Sequence, residues 1–169
     1  MMHYGIAHIA IGWALAIWNE QGLYSIELSD HEAPLAALLK ARFRGSSTAP
    51  TNGEGTDFFG NIIQVLENPE TRFDYPLLLE GTEFQKQTWL ALQSITPGQT
   101  VTYSELASQL GKPKAVRAVA NACGANRLAV IVPCHRVVRA DGGLGGYRWG
   151  VERKRALLNR EAKLAAIVS

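Results

Sequence analysis

Residues 129–138, Ala-Val-Ile-Val-Pro-Cys-His-Arg-Val-Val, join an apolar β-branched run to a cysteine that stands between a proline and a histidine. The continuous apolar character of residues 130–132 predicts a buried strand. Pro133 cannot donate a hydrogen bond to a sheet, so we expect it at the end of that strand or at a bulge. Cys134 is then predicted to emerge where regular structure stops, a position that suits a reactive side chain.

The pair formed by Cys134 and His135 is a candidate nucleophile with its base. A thiol reacts as the thiolate, and a neighbouring histidine or a helix N-terminus can lower its pKa enough for that. Whether His135 reaches the sulfur depends on the fold. A packing role is the alternative, because free cysteine is among the most buried residue types.

Charge is distributed unevenly along the chain. Residues 1–81 hold 4 Lys and Arg against 10 Asp and Glu, residues 82–169 hold 13 against 5, and the net charge is +2. The basic half indicates contact with a polyanion, although an uneven solvated surface is the alternative.

Two cysteines favour a reducing compartment over a secreted disulfide framework. The apolar stretch at residues 6–18 is too short to span a bilayer, so we expect a cytoplasmic protein, or a nuclear one in a eukaryote, with no membrane contact.

The first eighty residues have the pattern of a small α/β unit. Ser29 and Glu32 have the spacing of a capping box, and Pro34 suits the first turn of the helix that follows. The abundance of Gly, Ser, Thr and Asn predicts a surface loop over residues 45–55. Three β-prone runs separated by turns predict an antiparallel meander, a second helix follows the loop, and an edge strand ends the half: residues 4–9, 13–18, 23–28, 57–66 and 75–79. The histidines of this half lack metal-ligand spacing, so we expect no metal site.

Three helices are predicted in the second half. Thr82 and Gln85 form a capping box that opens a helix to about residue 94. The stretch 102–105 caps a second helix, which Gly111 closes as a C′ glycine. Residues 114–124 form the third. Two helices around a glycine-containing turn indicate a helix-turn-helix, with an ordinary helical hairpin as the alternative.

The third helix consists almost entirely of small residues. Its only long side chains are those of Lys114 and Arg117, whereas a helix that reads base edges in the major groove normally presents several long polar side chains. Small residues allow close backbone approach, which suits the narrow minor groove and binding without sequence preference. Arg117 could then enter the base stack as a wedge.

Three segments carry a resemblance to a known family: residues 111–120 (Gly-Lys-Pro-Lys-Ala-Val-Arg-Ala-Val-Ala), 133–139 (Pro-Cys-His-Arg-Val-Val-Arg) and 146–151 (Gly-Tyr-Arg-Trp-Gly-Val). From Thr82 to Ala162 the chain resembles the O6-alkylguanine-DNA alkyltransferases. The resemblance implies a ribonuclease H-like α/β scaffold domain over residues 1–80, with a small antiparallel sheet and helices. It also implies a mainly α winged helix-turn-helix domain over residues 81–169, which binds DNA and carries the active site.

The resemblance also implies a reaction. Such a protein flips O6-alkylguanine, and in some cases O4-alkylthymine, out of duplex DNA, because the reacting atom lies inside the stacked duplex. It then transfers the alkyl group irreversibly to a cysteine, here Cys134, once per molecule. His135 acts through a water as the base, and Glu161 orients His135. No cofactor or metal is implied, and the partner is double-stranded DNA bound by a monomer.

Further roles follow from the matching positions. Tyr103 matches the tyrosine that contacts the target phosphate and protonates the departing guanine at N3, Arg117 matches the arginine that fills the vacated stack, and Asn126 matches a hinge between the recognition helix and the strand bearing Cys134. The resemblance assigns DNA contact also to Lys114, Ala115, Ala118 and Arg136. It assigns the pocket to Cys134, Val137, Tyr147, Arg148, Trp149 and Cys123, with the carbonyls of Cys134 and Val137 on the guanine amine.

The sequence departs from the pattern of the family in two respects. Within the family, the likeness is strongest to the alkyltransferase domain of adaptive-response proteins, whose zinc-bearing regulatory domain has no counterpart here, so phosphotriester repair and transcriptional activation are not expected. Trp149 stands where some members have glycine, and we hypothesise that its indole narrows the pocket against bulky adducts.

Two alternative functions are a non-catalytic lesion-binding protein that recruits repair factors and a Cys-His hydrolase. The presence of Cys134 argues against the first, and the predicted DNA-binding half argues against the second.

Overall fold

The computed structural model describes residues 1–168, and the chain divides into two compact units, Met1–Leu79 and the residues from Glu80 onward. The first unit is built on a four-stranded sheet. The second consists mainly of helices with one two-stranded pair. The architecture is therefore a small α/β protein with a mixed sheet and helices.

The sheet of the first unit has the order β3-β2-β1-β4. Strands β1 (His3–Ile9), β2 (Gly12–Asn19) and β3 (Gly22–Ser29) pair antiparallel, which confirms the predicted meander. Strand β4 (Thr51–Asn52) pairs parallel with β1 and lies inside the stretch that was predicted as a loop. A segment of two residues is too short to show the alternation that predicts a strand, and β4 forms because it pairs with β1.

Two helices accompany this sheet, α1 (Glu32–Arg42) and α2 (Asp57–Glu67). The predicted capping box at α1 is wrong, because His31 is the N-cap and makes no side-chain cap, while the Ser29 hydroxyl accepts a hydrogen bond from the His31 amide. The helix begins two residues later than that spacing requires, at Glu32. At the predicted edge strand the structure has only an isolated bridge between Leu23 and Leu77.

The second unit contains four α-helices and a short parallel pair: α3 (Glu83–Leu92), β5 (Val101–Thr102), α4 (Tyr103–Gln109), α5 (Val116–Gly124), β6 (Val137–Val138) and α6 (Val151–Val168). The capping box of Thr82 and Gln85 is confirmed. Gly111 has φ +73° and ends α4, with its amide on the Ser108 carbonyl and that of Lys112 on the Ala107 carbonyl. This pair of bonds is a Schellman motif, the ending that a C′ glycine predicts.

The buried strand predicted at residues 130–132 is wrong. Residues 129–132 form a turn in which the Val132 amide donates to the Leu128 carbonyl at 3.0 Å. Val130 has φ +71°, a left-handed conformation that a β-branched residue rarely adopts. Ala129, Val130 and Val132 are all buried. A buried turn and a buried strand both require apolar side chains, so the pattern could not distinguish them.

None of the helices in residues 1–168 is both long enough and apolar enough to cross a membrane.

Candidate active site

Cys134 begins a 3₁₀ helix, Cys134–Arg136, directly after the buried turn. The side chain does not emerge as predicted, because the residue is only 4% exposed. Burial raises the pKa of the Cys134 thiol, and a hydrogen bond from Asn126 acts in the opposite direction. The resting thiol is therefore protonated, and it needs a base before it can act as a nucleophile.

Asn126 holds the chain around this thiol. Its side-chain oxygen accepts a hydrogen bond from the Leu128 amide at 2.9 Å, and its side-chain nitrogen donates to the Val132 carbonyl at 2.9 Å. The same nitrogen lies 3.4 Å from Sγ of Cys134. Asn126 therefore does not join a helix to a strand. It closes the turn that precedes Cys134 and contacts the sulfur directly.

His135, which follows Cys134 in the chain, belongs to a buried polar cluster. His135 Nε2 lies 2.8 Å from Oε2 of Glu161 on α6, and both side chains are buried. Burial alone would raise the pKa of Glu161, but the hydrogen bonds from His135 and Arg136 hold it at about 2. Burial lowers the pKa of His135 despite the neighbouring carboxylate. The resting pair is therefore a neutral imidazole, protonated on Nε2, beside a carboxylate.

Arg136 belongs to this cluster and not to the surface. It is 7% exposed, its Nε donates to Glu161 Oε1 at 2.7 Å, and Nη1 donates to the Ile95 carbonyl. This position contradicts the predicted contact with DNA, because a guanidinium held by two buried acceptors cannot turn outward. Arg136 instead fixes the carboxylate that holds His135.

Cys134 lines a cavity of about 240 Å³ in the second unit, with Tyr103, Ala120, Asn121, Cys123, Gly124, Gly146, Tyr147 and Arg148. Four of the residues predicted for the pocket are among these, but Val137 and Trp149 are not. Trp149 is buried and packs edge-on against the Tyr147 ring at 5.3 Å. It therefore supports the pocket wall from behind, and the hypothesis that its indole itself narrows the pocket is corrected.

Two further pocket residues keep their protons at neutral pH. Burial raises the pKa of Tyr103 to about 12, so its hydroxyl is a hydrogen-bond donor. Burial also raises the pKa of Cys123 to about 12. Because a nucleophilic cysteine must ionise, Cys123 is a packing residue of the pocket.

Lys154 was not predicted, yet it is the largest fully buried side chain of the described residues. Its Nζ donates to the carbonyls of Val137 (2.7 Å) and Gly146 (3.2 Å) and lies 3.5 Å from the Tyr103 hydroxyl. Lys154 thus ties the two ends of the loop between β6 and Tyr147 to α6. Its position seven residues before Glu161, on the face that also presents Leu157, was the sequence signal for an inward-facing lysine.

The residues predicted to meet DNA lie at α5 and at the turn before it. Arg117 and Ala118 are exposed on α5, Lys114 is exposed in the turn, and Ala115 is half-buried as the N-cap. The opposite face of α5, with Val119 and Ala122, is buried, so this helix presents small side chains and one arginine outward. No cluster of three or more metal-binding side chains occurs within residues 1–168.

Both units of the chain are similar to known proteins. Residues 83–163 match the family model described as "6-O-methylguanine DNA methyltransferase, DNA binding domain". The chain is 46% identical over 162 residues to "Bifunctional transcriptional activator/DNA repair enzyme Ada" of Escherichia coli (strain K12), which covers 96% of the chain and 46% of that protein. The chain therefore spans less than half the length of this relative.

Other similar proteins are covered almost completely. "Methylated-DNA--protein-cysteine methyltransferase" of Mycobacterium bovis is 53% identical over 145 residues, which is 83% of the chain and 87% of that protein. The solved structure of Mycobacterium tuberculosis OGT in complex with DNA is 36% identical, with a TM-score of 0.77 over 95% of the chain and 93% of the solved one. The likeness extends over both units.

Proposed function

The chain belongs to the methylated-DNA--protein-cysteine methyltransferase family, and we propose from this that it repairs DNA by direct reversal, moving an alkyl group from O6 of guanine to Cys134. The observation that carries the proposal is the cavity of about 240 Å³ that contains this thiol. The next residue in the chain, His135, is buried and lies 2.8 Å from the Glu161 carboxylate.

The first step is ionisation of the thiol. The Cys134 proton passes through a water molecule to Nδ1 of His135, which leaves a thiolate and an imidazolium. Glu161 stabilises the imidazolium through Nε2, and Arg136 keeps that carboxylate in position. The Asn126 amide, at 3.4 Å, and the ammonium of Lys154 stabilise the negative charge on the sulfur.

The second step is displacement at the alkyl carbon. Sγ of Cys134 forms a bond to this carbon as the bond from carbon to O6 breaks, and the electron pair stays on the purine. Tyr103 is protonated at neutral pH and gives its proton to N3 of the departing guanine. Solvent then returns a proton to Tyr103 and takes one from the imidazolium of His135, so the net change is transfer of the thiol proton to guanine. Removal of the alkyl group from the thioether would require a second nucleophile at that carbon and a thiolate leaving group, so each molecule acts once.

Access to the lesion requires that the base leave the duplex. We propose that α4 and α5 form the helix-turn-helix of a winged domain in the minor groove, with Arg117 filling the vacated stack and Lys114, Ala115 and Ala118 along the backbone. The exposed, small-residue face of α5 supports this. The excess of Lys and Arg after residue 81 favours affinity that falls with salt.

The proposal also includes the fold of the first domain, the partner, the cellular location and a second substrate. The mixed sheet, with three antiparallel strands and one parallel neighbour, supports a ribonuclease H-like first domain. We propose alkylated double-stranded DNA as the partner of a monomer in the cytoplasm, or in the nucleus of a eukaryote. O4-alkylthymine is a second substrate under this proposal. The regulatory activities named for the longer Ada relative are outside it.

Restoration of a blocked restriction site tests the proposal. A duplex with one O6-methylguanine in the recognition sequence is incubated with the protein and then digested. We expect cleavage to be restored in proportion to the protein added, and a Cys134→Ser variant to restore none. If the site stays blocked although the lesion duplex is bound tightly, the protein is a lesion-binding protein and not a transferase.

A further inference from the structure

Two polar atoms beside Cys134 are buried without a hydrogen-bond partner among the described residues, Nδ1 of His135 and the hydroxyl of Tyr147. The two rings meet edge to face with their centroids 6.5 Å apart. Tyr147 also lines the cavity that contains the sulfur. The Tyr147 ring therefore lies beside the His135 ring and at the cavity that Cys134 lines, and the described residues provide neither polar atom with a partner.

A buried polar group without a partner is unfavourable, by about 1–3 kcal/mol for a hydroxyl. Such groups in folded proteins bind ordered water or take part in catalysis. Phenylalanine would provide the same ring against Trp149 without this cost. The hydroxyl of Tyr147 therefore points to a ligand of the active site and not to packing of the wall.

The hydrogen-bonding roles of the two atoms are complementary. His135 commits its Nε2 proton to Glu161, so Nδ1 is an acceptor. Burial raises the pKa of Tyr147, with Cys134 and Glu161 adding to the effect and Arg153 opposing it, so the hydroxyl keeps its proton and is a donor. A water molecule between them accepts from Tyr147, donates to His135, and has a second acceptor site for the S–H of Cys134.

We propose that Tyr147 is a positioning residue of the proton relay: its hydroxyl donates a hydrogen bond to the water that carries the Cys134 proton to His135. In the relay the S–H bond breaks and its proton passes to the water, while the water gives one of its own protons to Nδ1. The products are a thiolate and an imidazolium, and the water is regenerated, still held by Tyr147. The inference rests on the proposed function of Cys134, which it extends by one residue.

The test uses Tyr147→Phe, which keeps the ring and removes the hydroxyl. The rate of Cys134 alkylation by iodoacetamide is measured against pH in the full chain without DNA, beside the control Tyr4→Phe in the other unit. Loss of one hydrogen bond predicts a rate about 3- to 10-fold lower at neutral pH and a higher apparent pKa of the thiol.

A double-mutant cycle with His135→Gln separates the relay from a packing effect. If Tyr147 acts through the water on His135, its substitution has no further effect once the histidine is absent. An undiminished rate in Tyr147→Phe, or an equal loss in both backgrounds, would overturn the inference. If the wild-type chain reacts with iodoacetamide in this pattern but removes no methyl group from DNA, the proposed function fails and the relay assignment stands.

Discussion

His135 donates its Nε2 proton to Oε2 of Glu161 across 2.8 Å, and the two side chains are 0% and 1% exposed. Arg136 contacts the same carboxylate, so the buried Glu161 anion accepts hydrogen bonds from both the neutral His135 and the positively charged Arg136. This arrangement leaves the lone pair of the neutral imidazole on Nδ1. It also makes Glu161 the residue on which both the stability and the chemistry of the site depend.

Stability should decrease as the pH falls, in two successive ranges. Burial lowers the pKa of His135 below 6.5, and the hydrogen bonds of Glu161 hold its pKa at about 2, against an ordinary value of 4.5. For both groups the unfolded chain binds a proton at higher pH than the folded chain does. The free energy of unfolding should therefore fall below pH 6.5, and fall further from 4.5 toward 2. Urea unfolding across this range checks it, and a His135→Gln variant should lose the upper step.

Replacing Glu161 with glutamine should destabilise the second unit. Arg136 then keeps a buried positive charge without its anion, which costs roughly 3–5 kcal/mol. The matched control is Glu152→Gln on the same helix, where an exposed carboxylate 3.5 Å from Arg155 predicts a change within about 0.5 kcal/mol. Denaturant unfolding of the two variants measures the difference. Equal stability of both would contradict the assignment of Glu161 as the anchor of the cluster.

Replacing Lys154 with methionine should loosen the loop that closes the pocket. The carbonyls of Val137 and Gly146 lose their donor, and we expect a loss of roughly 1–3 kcal/mol with faster amide exchange over residues 139–147. Lys163→Met, on an exposed position of the same helix, is the control. Unchanged exchange in the loop of the Lys154 variant would show that other contacts hold it.

Replacing Arg117 with alanine should affect repair of duplex DNA without affecting the chemistry. The side chain is exposed, so the stability should change by less than about 0.5 kcal/mol. Transfer from a lesion in duplex DNA should slow, whereas transfer from the free base O6-methylguanine should not. Single-turnover rates on the two substrates, beside Arg155→Ala on α6, measure this. A parallel loss on both substrates would contradict a role in the vacated stack.

Local sequence patterns predicted two helix ends correctly. Thr82 with Gln85, and Gly111, were predicted correctly because a cap depends on residues within one turn. Ser29 with Glu32 has the same spacing and fails, because α1 begins two residues later than that spacing requires. Spacing alone does not fix where a helix begins.

Several features of the active site depend on contacts between residues that local sequence patterns do not predict. The apolar residues 130–132 satisfy a buried turn as well as a strand, and the difference is made by the side chain of Asn126. Arg136 was assigned to DNA by its charge, but a carboxylate 25 positions away holds it inside. Lys154 shares a helix face with Leu157 and Glu161, which indicates that it points inward, but its partners are backbone carbonyls that the sequence does not identify.

The central claim is that Cys134 is the alkyl acceptor, and intact-protein mass spectrometry tests it most directly. The protein is mixed with a duplex that contains one O6-methylguanine, and Cys134→Ala is treated in parallel. We predict a mass increase of one CH₂ unit on the wild-type chain alone, mapped by peptide analysis to Cys134, with no second addition at excess DNA. An unchanged mass despite tight binding of the lesion, or a methyl group mapped to Cys123, would contradict the account.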